Sequence, residues 1–370
     1  MAVSPSNEVT ENRASHTKRA QGASKGETAM QHVAIDLGGK ESQLCVRGTD
    51  GQILLEQKVA TRSLGLFLKR QPHSRVILET CAEAFHVADL ALSSAHEVRV
   101  VPATLVRSLG VGARGVKTDR RDAQVLSEVS CRIDLPSVHV PSDVARQRRT
   151  LCGLREALVS SRTALINTAR GWTRTRLLKV GPATSATFPE RLRKAALAAP
   201  DGLPESLERV LKVVDSLNEQ IALADQELKE LSETDPICSR LMSVPGIGPV
   251  TSMRFVAAID DVSRFPSAHA VESYLGLTPG EHSSSERKQR TGITKAGPAA
   301  VRAALVQAAW NLRRSRPLDP ISVWAAAIEK RRGKFIATVA VARKLAGVLF
   351  ALWRDGSRYA PNHGAPAAAS

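Results

Sequence analysis

The residues best suited to chemistry gather first in Lys117-Thr118-Asp119-Arg120-Arg121-Asp122-Ala123. Two carboxylates three positions apart share a face if the segment is helical. Arg114, Lys117, Arg120 and Arg121 surround them. Carboxylates set in positive charge suit a hard divalent cation that must also meet phosphate. An Asp-x-x-Asp pair is equally at home in an ion-paired helix start, so the motif gains meaning only from other acids that could join it.

Two such acids lie upstream. The run His32-Val33-Ala34-Ile35-Asp36-Leu37-Gly38-Gly39-Lys40 is apolar, delivers one aspartate and breaks at glycines. Arg75-Val76-Ile77-Leu78-Glu79 is a second apolar run closed by a carboxylate. An acid that ends a buried strand needs a partner or a metal. Glu83, one helical turn on, reads as a surface residue. Far downstream, Ser283-Ser284-Ser285 precede Arg287, Lys288, Arg290 and Lys295. One of these serines could attack a phosphate held by the basic cluster; an exposed polar loop is the plainer reading. Between these stretches, Val244-Pro245-Gly246-Ile247-Gly248-Pro249 looks like a helix-hairpin-helix turn. Gly246 and Gly248 there could bring backbone N–H groups to a phosphate, or simply make a tight turn between packed helices.

The elements that must position these groups follow from periodicity. Ser42–Val46 and Gln52–Leu55, split by Thr49-Asp50-Gly51, extend the first run into a β-meander. A helix is expected from Ser63 to Lys69 and another over Ala82–Ser93. His96–Pro102 reads as a strand, and Asp122–Val129 as helix. This alternation predicts a mixed-sheet α/β domain over residues 31–140, after a polar leader at 1–30 expected to be disordered. From Arg146 to Arg176 an Arg-rich helix carries a stripe at Leu151, Leu154, Leu158 and Leu165, and Arg148 and Arg149 are candidates for nucleic-acid contact. Residues 181–204 read as a linker. Val210, Val214, Leu217, Ile221, Ala224, Leu228 and Leu231 recur as a coiled-coil heptad. The two long helices could pair within one chain or between protomers. Residues 236–356 read as a mainly helical domain with Trp310, Trp324 and Trp353 in its core. Lys330-Arg331-Arg332-Gly333-Lys334 reads as a basic loop near nucleic acid, and 357–370 as a disordered tail.

The 370 residues hold 52 Lys+Arg against 36 Asp+Glu, a net charge of +16 that favours a polyanionic partner. Five cysteines without Cys-x-x-Cys spacing argue against a disulfide framework and point to reduced thiols. No apolar run is read as a membrane span, and no signal peptide is expected.

Together, Ala34-Ile35-Asp36-Leu37-Gly38, Leu78-Glu79-Thr80 and Lys117-Thr118-Asp119-x-x-Asp122-Ala123 resemble the DEDD domain of the Piv/MooV-type recombinases. These are bacterial insertion-sequence transposases with a RuvC-like N-terminal domain. Gly276-Leu277-x-Pro279, the serines, the basic stretch and Gly292-Ile293-x-Lys295-x-Gly297 are similar to that family's C-terminal transposase domain, and Ala340–Ala346 resembles its closing helix. The resemblance covers residues 32 to 355. It implies an α/β plus α fold: an RNase H/RuvC-like mixed sheet, long coiled-coil helices, and a helical domain with the helix-hairpin-helix-like turn. It implies Asp36, Glu79, Asp119 and Asp122 as ligands of Mg²⁺, with Mn²⁺ as the alternative. Arg120 and Arg121 would face the phosphate backbone. Counting back from Gly292 puts the nucleophile at Ser284; Ser285 stands where the family carries glycine, so Ser283 and Ser285 stay open.

The implied reaction is DNA cutting and rejoining through a phosphoserine, with serine and carboxylates brought together in a composite site. The implied partners are DNA, an element-encoded structured guide RNA and further copies of the chain, as dimer or tetramer, with a cytoplasmic, nucleoid-associated location. The alternatives are a metal-dependent junction nuclease without a serine nucleophile, and an inactive nucleic-acid-binding protein.

Overall fold

Turn chemistry at Gly38-Gly39 and Asp50-Gly51 folds the first stretch into β1 (Gln31–Asp36), β2 (Glu41–Arg47) and β3 (Ile53–Ala60), paired antiparallel in sequence. The computed structural model describes residues 30–108, 118–197, 199, 202–284 and 287–360, and it divides between Val140 and Pro141 into two units. The first continues with α1 (Leu64–Arg70), β4 (Ser74–Glu79), α2 (Ala84–Ser93), β5 (Glu97–Val101), α3 (Ala103–Ser108) and α4 (Asp119–Arg132). The sheet order is β3-β2-β1-β4-β5, with β4 parallel to both β1 and β5. The mixed sheet and its α/β setting are therefore as expected.

Side-chain alternation gives the sheet two unlike faces. Val33, Ile35, Leu44, Val46, Val76, Leu78 and Val100 pack with Leu64, Leu68 and the buried side of α2. Ala34, Ile77 and Val101 point the other way and pack with Leu126 of α4 and Leu135.

The second unit contains α5 (Asp143–Thr175), α6 (Phe188–Ala196), α7 (Glu205–Thr234), α8 (Pro236–Leu241), α9 (Pro249–Ile259), α10 (Ala268–Tyr274), the hairpin β6 (Pro279–Ser284) and β7 (Arg287–Ile293), α11 (Ala299–Ser315), α12 (Pro320–Arg332) and α13 (Lys334–Asp355). Three expectations change here. The 181–204 linker contains α6, whose buried Phe188, Leu192 and Ala196 recur every four residues, with Phe188 and Leu192 packed in one cluster with Ile166 and Leu211. The expected polar loop around the serines is the β6–β7 hairpin. Trp324 is 39% exposed, and Trp310 is only half-buried. Trp353 does pack against the core. The reading that no apolar run could span a bilayer also needs correction: α13 is long and apolar enough by length and composition. Its Val341, Leu345, Leu349 and Phe350 lie in the largest core, so it is the central helix of the unit.

The heptad helix α7 pairs with α5 inside one chain, antiparallel, but its seam differs from the expected one. Positions Val214, Ile221 and Leu228 are shared and buried. The alternate positions are polar: Asn218, Asp225 and Ser232 rather than Leu217, Ala224 and Leu231. Arg162 donates from Nη1 to Asn218 at 2.9 Å, Arg155 pairs with Asp225, and Arg148 pairs with Asp235. These arginines recur every seven residues and face α7. Much of the basic face expected to bind nucleic acid is thus internal. Arg149, the other candidate on this helix, donates to the Ala257 carbonyl at 3.2 Å.

Arg148→Ala leaves Asp235, whose side chain is 11% exposed, without its charged partner, though the Ile237 and Cys238 backbone N–H groups still donate to it. The substitution should cost about 2 kcal/mol, read as a lowered thermal unfolding midpoint. Arg174→Ala, at an exposed position on the same helix, should stay within about 0.5 kcal/mol of the parent.

Candidate active site

In the first unit the geometry of the acids follows from register. β1 and β4 pair in parallel through Ile35↔Leu78. One residue further, Asp36 and Glu79 stand side by side at the carboxyl ends of adjacent strands. Both fall two residues after Ala34 and Ile77, so both project to the face covered by α4. Asp36 is also opposite Gln43, which is opposite Lys58. One row at the sheet edge therefore reads Lys58, Gln43, Asp36, Glu79.

Helix α4 brings Asp122 to the same edge. Its Ser130 hydroxyl meets His32 Nδ1 at 2.8 Å, near the start of β1. Leu126 packs beside Ala34, midway along the strand. From Ser130 back to Asp122 is roughly 12 Å of helix rise, and from His32 to Asp36 is roughly 13 Å of strand. The helix thus runs antiparallel to β1, and Asp122 reaches the level of Asp36. Asp122 is 2% exposed and sits in the first helical turn, where the helix dipole favours negative charge. Thr118 caps that turn by accepting from Arg121 N at 3.3 Å.

The remaining motif residues separate. Asp119 is exposed, and its charge helps raise the Lys58 pKa, after the larger effect of the Glu41 hydrogen bond. Arg120 is held by Glu56 of β3 through two hydrogen bonds, one of them 2.9 Å from Nη2 to Oε2. Those bonds also hold the Glu56 carboxyl below its ordinary pKa, and Gln124 donates to both Glu56 oxygens. Arg120, expected to face a phosphate backbone, is thus paired with Glu56 while its side chain stays 70% exposed; Arg121 is exposed. Arg114 and Lys117 lie outside the described residues. The sequence reading missed Glu56 and Lys58, which lie on the outer strand with no local signal tying them to a helix some sixty residues later.

Carboxylates on one face at one sheet edge are the donor type for a hard divalent cation. As placed, they do not form a finished cage: among the described residues no three His, Cys, Asp or Glu side chains are gathered to hold a metal ion.

In the second unit the candidate nucleophile lies on the hairpin. Ser284 ends β6 and is opposite Arg287 in the backbone register, with Ser283 opposite Lys288 and Glu281 opposite Arg290. Ser285 lies outside the described residues. The hairpin base is fixed by backbone contacts. Thr294 N donates to Thr278 O at 2.9 Å and Lys295 N to Gly276 O at 3.1 Å. Gly297 has φ +68°, and a Cβ there would lie 2.0 Å from the Tyr274 carbonyl oxygen, so only glycine fits. Lys295 is exposed in a left-handed conformation, φ 57°. In the Gly-Ile-Gly turn the two glycines differ. Gly246 (φ +89°) packs on α11, where a Cβ would meet Ala308 O at 2.7 Å. Gly248 caps α9, and a Cβ there would meet nothing within 4 Å. Gly246 therefore serves helix packing, and Gly248 is the glycine left open to a ligand.

Comparison with known proteins matches this arrangement in order. A family model described as "Transposase", for the DEDD domain of IS110 elements, matches residues 33–173, from β1 into α5. A second, described as "Transposase IS116/IS110/IS902 family", matches residues 238–320, from α8 through the hairpin to α12. The transposase for insertion sequence element IS1111A of Coxiella burnetii is 28% identical over 330 residues, covering 86% of this chain and 88% of that protein. The probable family 20 transposase of Pseudomonas aeruginosa is 26% identical over 347 residues, 90% of this chain and 99% of that one. The transposase for IS1328 of Yersinia enterocolitica is 26% identical over 334 residues, with 88% and 97% covered. Both domain models match in sequence order over more than half the residues, and relatives align along nearly their whole length: the chain belongs to the IS116/IS110/IS902 family of insertion-sequence transposases.

Proposed function

We propose that this transposase cuts and rejoins DNA with carboxylates of its N-terminal unit and a serine of its C-terminal hairpin. The observation that supports the reading is the β1–β4 register, which sets Asp36 and Glu79 at neighbouring strand ends on the face packed by α4, whose first turn carries the buried Asp122. This N-terminal unit is read as RuvC-like. Asp36, Glu79, Asp119 and Asp122 would hold a divalent cation, Mg²⁺ or Mn²⁺. When bound, the cation supplies charge neutralisation at the phosphate under attack.

The chain's own residues do the rest. The Ser284 hydroxyl attacks phosphorus, forming a serine–phosphate ester while one deoxyribose oxygen leaves. The proton lost by serine ends on that oxygen. A second deoxyribose hydroxyl then attacks the ester, restoring a phosphodiester and releasing serine, so no external energy source is consumed. Arg287, Lys288, Arg290 and Lys295 follow the serine in the chain and offset phosphate charge. Arg121 and Gly248 contact the backbone of the nucleic acid.

We further assign sequence choice to a structured RNA from the element, in keeping with a net charge of +16 and no base-reading motif in the sequence. Assembly into a dimer or tetramer is supported by apolar residues left outside the α5–α7 seam, with Val213 50% and Leu223 64% exposed.

Two substitutions test the two halves. Ser284→Ala should abolish a covalent protein–DNA adduct, read on a denaturing gel, while DNA binding persists. If the adduct survives and vanishes instead with Ser283→Ala or Ser285→Ala, the nucleophile is reassigned; if none removes it, serine attack is wrong. Asp122→Asn keeps the shape of a buried side chain. It should lower strand cleavage by about a hundredfold or more, with the thermal midpoint little changed.

A further inference from the structure

We propose that the corner between α12 and α13 is a stacking site for an unpaired nucleotide. This goes beyond the carboxylate and serine chemistry and rests only on the reading that the chain handles nucleic acid. Lys330, Arg331, Arg332 and Lys334 are all exposed at this corner, with no acid between them. Phe335 follows directly, with 80% of its surface exposed. Trp310 of α11 stands edge-to-face against it, ring centroids 6.3 Å apart and planes at 82°. Lys334 Nζ lies 4.9 Å from the Trp310 ring centroid and Arg313 Cζ 5.8 Å.

One exposed phenylalanine alone needs no explanation. Its neighbours give it one. Trp310 lines a cavity of about 430 Å³ with Gln307, Asn311, Arg313, Arg314 and Lys334. Gln307 and Asn311 lie one turn apart on α11 and present amide groups suited to the edges of a base. Arg313 is engaged by Glu329 and by Thr338, the latter at 2.9 Å, so it fixes the wall beside Trp310. Phosphate contacts fall to the exposed Arg314, Arg331 and Arg332. The occupant this combination fits is polyanionic and has a flat π-face. Bases in a duplex are already stacked on one another; an unpaired base can lie on an open ring and gain stacking without regard to sequence. The geometry therefore favours single-stranded nucleic acid over duplex and over a protein partner.

The test uses the full-length protein and three labelled probes of equal length: oligo(dT), oligo(U) and a mixed-sequence duplex. Phe335→Ala should weaken binding of at least one single strand roughly 5- to 100-fold, while duplex binding changes by less than about twofold. Phe335→Trp should restore single-strand binding. Paired Arg331→Gln and Arg332→Gln changes should flatten the salt dependence for every probe. Whichever of oligo(dT) and oligo(U) shows the larger Phe335 effect identifies DNA or RNA as the source of the strand. Equal loss for single strand and duplex, or no loss for any probe, overturns the proposal. So does a fall in sedimentation mass with unchanged nucleic-acid affinity, which would mean that a second copy covers Phe335. Binding of no probe at all by the parent protein would sink the proposed function as well, whereas duplex binding without a Phe335 effect sinks only this inference. The thermal midpoint of Phe335→Ala should match the parent, since the ring is largely outside the core.

Discussion

Everything proposed for the N-terminal unit depends on how α4 docks on β1 and β2. The contact is a ladder of mixed character. Ser130 meets His32, Leu126 packs with Ala34 and Ile77, and Ser127 accepts from Arg47 Nε at 2.9 Å while lying 3.2 Å from the Cys45 sulfur. Small hydroxyl residues let the helix approach closely, and their hydrogen bonds remove the penalty of burying them. Because polar rungs match only in one register, a shift of the helix along the strand would leave buried polar groups unsatisfied. The register in turn fixes Asp122 at the level of Asp36 and Glu79. The Glu56 clamp on Arg120 and Gln124 holds the helix start from its outer side.

Net charge is a poor map of where nucleic acid binds this chain. Arg148, Arg155 and Arg162 are spent along the α5–α7 seam. Arg193 joins α6 to α7 through Glu208 and Asp215, each at 2.9 Å, and Arg254 joins α9 to α5 through Glu156 at 2.6 Å. Such partly buried pairs specify which helix meets which more than they stabilise the fold. The arginines and lysines with a claim on phosphate include the exposed ones at the start of α4 and at the α12–α13 corner.

Much of the first unit was legible in the sequence because β1 and β4 are apolar runs ended by carboxylates and the turns on either side of β2 carry glycine. Convergence of Asp36 and Glu79 needed the parallel pairing of β1 with β4, which no local pattern states. The second unit was harder. The true α7 seam alternates apolar Val214, Ile221 and Leu228 with polar Asn218, Asp225 and Ser232, so hydrophobicity alone selected a frame shifted at every second position. The arginines that partner Asn218 and Asp225 lie 56 and 70 residues away. Strand β7, Arg-Lys-Gln-Arg-Thr-Gly-Ile, has no apolar alternation and is held by backbone pairing to β6, so the sequence read as a loop.

The most direct test of the account is diffraction from crystals of the protein bound to DNA in Mn²⁺, with anomalous scattering locating the metal. The account predicts a metal bonded to carboxylate oxygens of Asp36, Glu79 and Asp122 and touching a DNA phosphate. A metal held by other residues, with these three carboxylates remaining apart from it, would contradict it.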